Sequence, residues 1–312
     1  MKKIVVLTGP TAVGKTSLSI NLARAINGEI ISADSMQVYK HMNIGTAKIM
    51  PDEMGGIKHH LIDVIEPTED FHVVRFKEMV EAAIEEIYAK GKIPIICGGT
   101  GFYIQAILYD IQFSDQEIDQ QYRNYLEQYA NDNGKEALHK MLAEVDAKSA
   151  EAIPAANVKR VVRALEYYKL TGETFSSHNE EQRNRKSPYN FAYFVLNDDR
   201  NLLYNRINKR VDIMMEAGLL DEVDKLVKMG CAPGMTSMDG IGYKEILAYL
   251  NGRSSLEDAV ELIKKNSRNY AKRQLTWFRR EKEVIWLDKT VLKTDEELLE
   301  YIQKTLKEKG II

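Results

Sequence analysis

Cysteine is nearly absent: Cys97 and Cys231 are the only two among 312 residues. Two thiols so far apart exclude a disulfide framework and a cysteine-rich zinc site, and both read as core side chains. No apolar run approaches the roughly 20 residues that a membrane helix needs. Met1-Lys2-Lys3 leads directly into an apolar stretch, so no signal peptide is expected. A soluble, cytoplasmic protein with no membrane contact is expected. An excess of positive charge is missing too: 43 Lys and Arg against 46 Asp and Glu give a formal net charge of -3. That argues against a uniformly basic nucleic-acid binder and leaves room for a local basic patch. There is no internal repeat and no low-complexity segment. With 44% hydrophobic and 29% charged residues, the chain can bury one large core or two ordinary ones.

What is present is organised around Gly9-Pro10-Thr11-Ala12-Val13-Gly14-Lys15-Thr16, which fits G-x-x-x-x-G-K-[ST] at every fixed position. Ile4 to Leu7 before it has the β-branched bias of a buried strand, and Ser17 to Ile26 after it reads as helix. Strand, glycine loop and helix make a phosphate cradle. Backbone N–H groups turn toward phosphate oxygens, the helix start adds its positive dipole end, Lys15 neutralises charge, and the Thr16 hydroxyl can hold Mg²⁺. Ser17 follows in the first helical turn. A kinase or NTPase would place a γ-phosphoryl group there, and a transferase a pyrophosphate leaving group. The motif alone leaves both open.

Glu29 to Ser32 is expected to form a second strand, with Ala33-Asp34-Ser35-Met36-Gln37-Val38-Tyr39 at its carboxyl end, where α/β sheets gather ligands. Asp34 either caps a turn there or acts as a general base or Mg²⁺ support. Residues 43–56 read as a loop and 59–65 as a third strand. His59 and His60 lack the spacing of metal ligands and read as hydrogen-bonded or packed. Asp63 is a weak candidate for a Walker B acid. Residues 71–90 form an amphipathic helix, and 93–97 a fourth strand that ends in the second glycine-rich turn, Gly98 to Tyr103.

From residue 112 to 186 the alternation of strand and helix stops, and the composition becomes helical and charged. Within it Arg160, Arg163 and Tyr167 share one helix face, while 172–186 reads as a polar loop. Residues 189–196 return as a strand, followed by a helix over 201–217 with Arg206 and Arg210 one turn apart. That pair either clamps a pyrophosphate opposite the glycine loop or forms a salt-bridged surface. The longest helix, 256–283, is opened by Ser255 and carries Lys265, Arg268, Lys272 and Arg279 on one stripe. Lys264, Arg273 and Arg280 lie alongside, with Gln274, Trp277 and Phe278 interleaved, a pattern that can follow a nucleic-acid backbone. A last strand at 284–287 and a tail helix complete the chain. The expected architecture is α/β, a P-loop NTPase-like parallel sheet core flanked by helices over 1–111 and 187–312, with an inserted all-helical domain over 112–186.

Taken with Arg163-Ala164-Leu165-Glu166, Gly242-Tyr243-Lys244-Glu245 and Lys272-Arg273-Gln274-Leu275-Thr276-Trp277-Phe278-Arg279, these motifs closely resemble the bacterial-type tRNA dimethylallyltransferase family. The resemblance runs from the first strand to about residue 290. It implies transfer of a dimethylallyl group from dimethylallyl diphosphate to the exocyclic amine of the adenosine 3′ of the anticodon, with Mg²⁺ as cofactor and the tRNA anticodon stem-loop as partner. Asp34 then takes the place of the family's base, and Thr100 that of a residue aimed at the reacting region. Asp34, Ser35, Met36 and Gln37 would read a flipped adenosine. Arg123, Lys159-Arg160-Val161-Val162-Arg163, Gly242, Tyr243 and Lys244, and Lys272, Arg273, Gln274, Trp277 and Arg279 would hold the RNA. A monomer is expected. Val13 and Lys40 depart from the usual family residues, and the eukaryotic zinc finger is missing. The rivals are an adenylate isopentenyltransferase acting on free nucleotide, a small-molecule kinase, and a nucleotide-gated RNA-binding protein without chemistry.

Overall fold

The computed structural model describes residues 1–113 and 119–312, so residues 114–118 of the expected insert lie outside the described residues. Ile4, Val5, Val6 and Leu7 are fully buried and form the middle of strand β1 (Lys2–Thr8). An unbroken branched apolar run is what a parallel strand covered on both faces requires. Strands β2 (Gly28–Ala33), β3 (His59–His60), β4 (Ile93–Gly98), β5 (Tyr189–Asn197) and β6 (Val284–Asp288) join it in the order β3-β2-β4-β1-β5-β6, with every pair parallel. Thr8 is in register with Gly98, and Gly98 with Ala33. The loops that begin at Gly9, Asp34 and Gly99 therefore leave one edge of the sheet side by side. β1 is also where the winding reverses, the place where open α/β sheets bind ligands.

Helices α1 (Lys15–Ala25), α2 (Val73–Ala89) and α3 (Gly101–Leu108) precede five helices in the middle of the chain: α4 (Gln120–Asn133), α5 (Lys135–Val145), α6 (Ala147–Ala152), α7 (Val158–Thr171) and α8 (Phe175–Asn184). Then come α9 (Arg200–Glu216), α10 (Leu219–Lys228), α11 (Tyr243–Leu250), α12 (Leu256–Phe278) and α13 (Asp295–Glu308). The chain forms two compact units, Met1–Leu108 with Pro188–Ile312, and Tyr109–Ser187. The second unit has its own apolar core, in which Leu126 of α4, Leu138 and Leu142 of α5, and Val161 and Leu165 of α7 meet.

Three expectations about elements need correction. Only His59 and His60 pair with β2, because Leu61 and Asp63 take φ of 62° and 55° and break the strand. Residues 172–186 are not a loop throughout: Thr174 caps α8 by accepting from the Ser177 amide, and Asp146 accepts from the Ser176 amide at 2.8 Å. These caps support a helix whose polar sequence carries no apolar stripe. The longest helix stops at Phe278, five residues short of the expected end.

Candidate active site

The phosphate loop has the backbone that its glycines anticipate. Gly9 has φ +147°, and a Cβ on it would lie 2.6 Å from the Leu196 carbonyl oxygen. Gly14, at φ 99°, caps α1 with no side-chain hydrogen bond, so the first-turn amides of α1 are open to an anion. Lys15 Nζ donates to the carbonyls of Gly9 and Pro10 at 2.9 and 2.8 Å. Burial lowers its pKa to about 8. The loop lines a cavity of about 580 Å³ together with Ser17, Asp34 and Arg210.

Asp34, the first residue past β2, makes the turn that one reading of it expects. Its Oδ1 accepts from the amides of Met36 and Gln37 at 2.9 and 3.3 Å, closing a turn and leaving Oδ2 to serve a ligand. Burial raises its pKa, against the pull of those amides and of Lys15. A second cavity, of about 430 Å³, has apolar walls from Met36, Ile207, Val211, Met214 and Ile263. Asp34, Thr11, Arg210 and Tyr270 line both cavities. The carboxylate thus stands at the junction of the glycine-loop cavity and an apolar chamber.

Several residues that hold this site escaped sequence reasoning. Glu222, buried in α10, accepts from the amides of Asn43, Ile44 and Gly45 at 2.8, 2.8 and 3.0 Å, fixing a loop that walls the second cavity. Glu245 accepts from the Gly242 amide and from Asn266, both at 2.7 Å, tying α11 to α12. Burial, with the charge of Asp34, pushes the Tyr270 hydroxyl up to about 12, and its hydrogen-bond partners include Thr100 and Gln274. Thr100 lines neither cavity; it meets the site through Tyr270. The signal for Tyr270 was its place among buried residues on the inner side of a basic helix.

Other anticipated site residues point elsewhere. Arg206 is paired with Asp198 and lines neither cavity, because an acid at the start of α9 captures it; Arg210 alone of that pair reaches the site. Burial against protein atoms holds the Arg210 guanidinium below its ordinary pKa, although part of the side chain is exposed. Val161 and Val162 are core residues of the helical unit, and Tyr167 packs on Phe175 and His178, so it presents no free ring. Tyr243 and Gln274 are also buried. Arg123 commits two nitrogens to Glu166 at 2.7 and 2.8 Å. Asp63 pairs with the buried amine of Lys48, and His60 with Glu29 at 2.8 Å.

Lys159 and Arg160 are exposed on α7. On α12, Lys264 is paired with Asp212 at 2.8 Å and Arg268 with Asn208, which removes them from the free basic stripe. Lys272, Arg273, Trp277 and Arg280 line an open groove of about 340 Å³. The guanidinium of Arg280 lies 5.7 Å from the Trp277 ring centre, and that of Arg273 5.7 Å from Tyr270. Arg279 and Lys244 are exposed. Among the described residues no group of three His, Cys, Asp or Glu side chains can hold a metal, and no helix is long and apolar enough to cross a membrane. Thr16 offers one exposed hydroxyl beside the cradle.

A sequence model described as IPP transferase matches residues 37–281. A curated tRNA dimethylallyltransferase of Lachnoclostridium phytofermentans is 57% identical over 312 residues, covering 100% of both chains. The crystal structure of a full-length tRNA isopentenylpyrophosphate transferase from Bacillus halodurans is similar with a TM-score of 0.75 and 45% identity, over 99% of this chain and 98% of that one. A eukaryotic dimethylallyltransferase acting on tRNA superposes with a TM-score of 0.78 at 32% identity, over 92% of this chain and 74% of its own.

Proposed function

This chain belongs to the IPP transferase family, and on that premise we propose how its residues carry the reaction. The protein is an enzyme that transfers a prenyl group from dimethylallyl diphosphate to a tRNA adenosine adjacent to the anticodon. The diphosphate lies in the glycine loop against Lys15, the amides that open α1, and Arg210, which approaches from α9. Thr16 would hold a Mg²⁺ ion, which would offset charge on the leaving group.

The observation that carries this reading is that Asp34 lines both cavities. The adenosine 3′ of the anticodon, extruded from its stacked loop at a cost of about a few kcal/mol, enters the apolar chamber, where Asp34, Ser35 and Met36 meet its edge. Its exocyclic N6 is a weak nucleophile because the lone pair is delocalised into the ring. Asp34 accepts a proton from N6 as nitrogen bonds to the allylic carbon. The bond from that carbon to diphosphate breaks, and the diphosphate leaves with the electron pair, stabilised by Lys15 and the loop amides. Lys272, Arg273 and Arg280 follow the RNA backbone, with Trp277 beside them. In the helical unit, exposed Lys159 and Arg160 add backbone contacts, while Val161 and Val162 support their helix from within.

The test is incubation with Mg²⁺, labelled dimethylallyl diphosphate and an anticodon stem-loop, with free AMP and ATP in parallel. Label is expected in the RNA. Label in AMP alone would assign the chemistry to a free nucleotide, and ATP turnover without prenyl transfer would assign it to phosphoryl transfer.

A further inference from the structure

Gln274 stands on the buried stripe of α12, between Ala271 and Phe278, where helical periodicity favours an apolar side chain. It is 5% exposed, and both ends of its amide are engaged. Oε1 accepts from the Thr11 amide at 2.9 Å, and Nε2 donates to the Gly99 carbonyl at 2.9 Å. Those groups belong to two different loops, the phosphate loop after β1 and the glycine turn after β4. Gly99 makes room for the contact: a Cβ there would lie 2.2 Å from Gln274 Nε2. Thr11, Gly99 and Gln274 all line the first cavity.

From this geometry we propose that Gln274 is a positioning residue for the diphosphate, clamping the two glycine loops at one separation, and that it makes no contact with RNA. The inference rests on reading the cradle as the diphosphate site. A primary amide suits the task because it offers a donor and an acceptor in fixed relation without charge. Glutamate would lose the donor and set a negative charge beside the leaving group. The same helix turns Lys272 and Arg273 into the groove, which Arg280 joins from just past its end, so neighbouring residues on α12 serve different substrates.

Gln274→Met fills the space and removes both bonds to the loops together with the contact to the Tyr270 hydroxyl; Gly99→Ala leaves Gln274 in the sequence and pushes its amide away from the Gly99 turn. With wild-type transfer to the stem-loop established first, a failed reaction assignment is seen separately from a failed clamp. Each variant should raise KM for dimethylallyl diphosphate about tenfold, the scale of one to two lost hydrogen bonds, and lower kcat. RNA affinity should stay near wild type, and any fall in the unfolding midpoint from the stranded Thr11 amide and Gly99 carbonyl should come together with the change in KM. The cycle completed with Gln274→Ala and Gly99→Ala/Gln274→Ala should be non-additive, the double variant no worse than Gln274→Ala. A fall in RNA affinity with KM for the diphosphate unchanged would overturn the proposal, as would a lowered unfolding midpoint with both KM values and kcat unchanged. Additive effects in the cycle would overturn it too.

Discussion

The Tyr243 hydroxyl donates to Glu222 Oε1 at 2.6 Å, and the same carboxylate receives three consecutive backbone amides from residues 43–45. One buried acid thus organises a wall of the apolar chamber from two distant segments. Glu222→Ala would strand four donors, and a loss of roughly 2–4 kcal/mol in unfolding free energy is expected, read by denaturant titration. Tyr243→Phe removes one donor and should cost about 1 kcal/mol.

Asp34→Asn keeps an acceptor for the turn amides and cannot take a proton from N6. A fall in kcat of about 10²–10⁴ is expected, with RNA affinity unchanged in a binding assay. With Asp34 as the proposed base, the ionised carboxylate is the active form, so kcat is expected to rise with pH through the raised carboxyl pKa. With Lys15 as the proposed diphosphate contact, its protonated form is needed, so kcat/KM for dimethylallyl diphosphate is expected to fall above about pH 8. In Asp34→Asn the rising limb should vanish from any residual activity.

Arg210 and Arg206 differ in partner and therefore in effect. Arg210→Ala is expected to raise KM for dimethylallyl diphosphate by about 10- to 100-fold, the range for losing a charge-assisted contact. Arg206→Ala frees Asp198 and should leave KM within about twofold, since a partly exposed ion pair contributes about 0–1 kcal/mol. Steady-state kinetics at saturating RNA separates the two.

Lys272→Ala and Arg280→Ala should each weaken stem-loop binding and reduce the slope of log affinity against log salt by about 0.7–0.9 per lost phosphate contact. KM for the diphosphate should not move. Titration of labelled RNA at several salt concentrations checks both.

Glu281 follows the groove, and burial pushes its carboxyl up to about 7 from an ordinary 4.5, with Arg280 opposing. The folded protein then holds a proton that the unfolded chain has released. Stability from this group is fully present below about 4.5 and lost as pH rises through about 7. Glu281→Gln should remove that loss and be more stable than wild type at pH 8 by about 1–2 kcal/mol, discounted for partial exposure. Near pH 4.5 the two should unfold at similar denaturant concentrations.

The glycine loop, the parallel sheet, the helical insert and the basic stretch on α12 were legible because each is a local pattern. A branched apolar run, a fixed glycine spacing or a charge periodicity means the same thing wherever the chain goes next. Asp34 was legible as a position, at the carboxyl end of a strand. The sequence left a turn cap and a general base as alternatives for it, and that Oδ1 closes the turn is a matter of orientation that only the structure shows. Polar side chains that fix the site resisted reading because their partners are remote: Gln274 meets Thr11 across 263 residues and Glu222 meets Gly45 across 177. A buried glutamine and a surface one look alike in a list of residues. The sequence by itself determined most of the elements and the shape of the glycine loop, since backbone propensity and loop geometry depend on near neighbours. Only the tertiary structure decided which of Arg206 and Arg210 reaches the cavity, and which residues of α12 face inward. Both outcomes depend on what packs against a helix face, and packing joins residues that the chain keeps far apart.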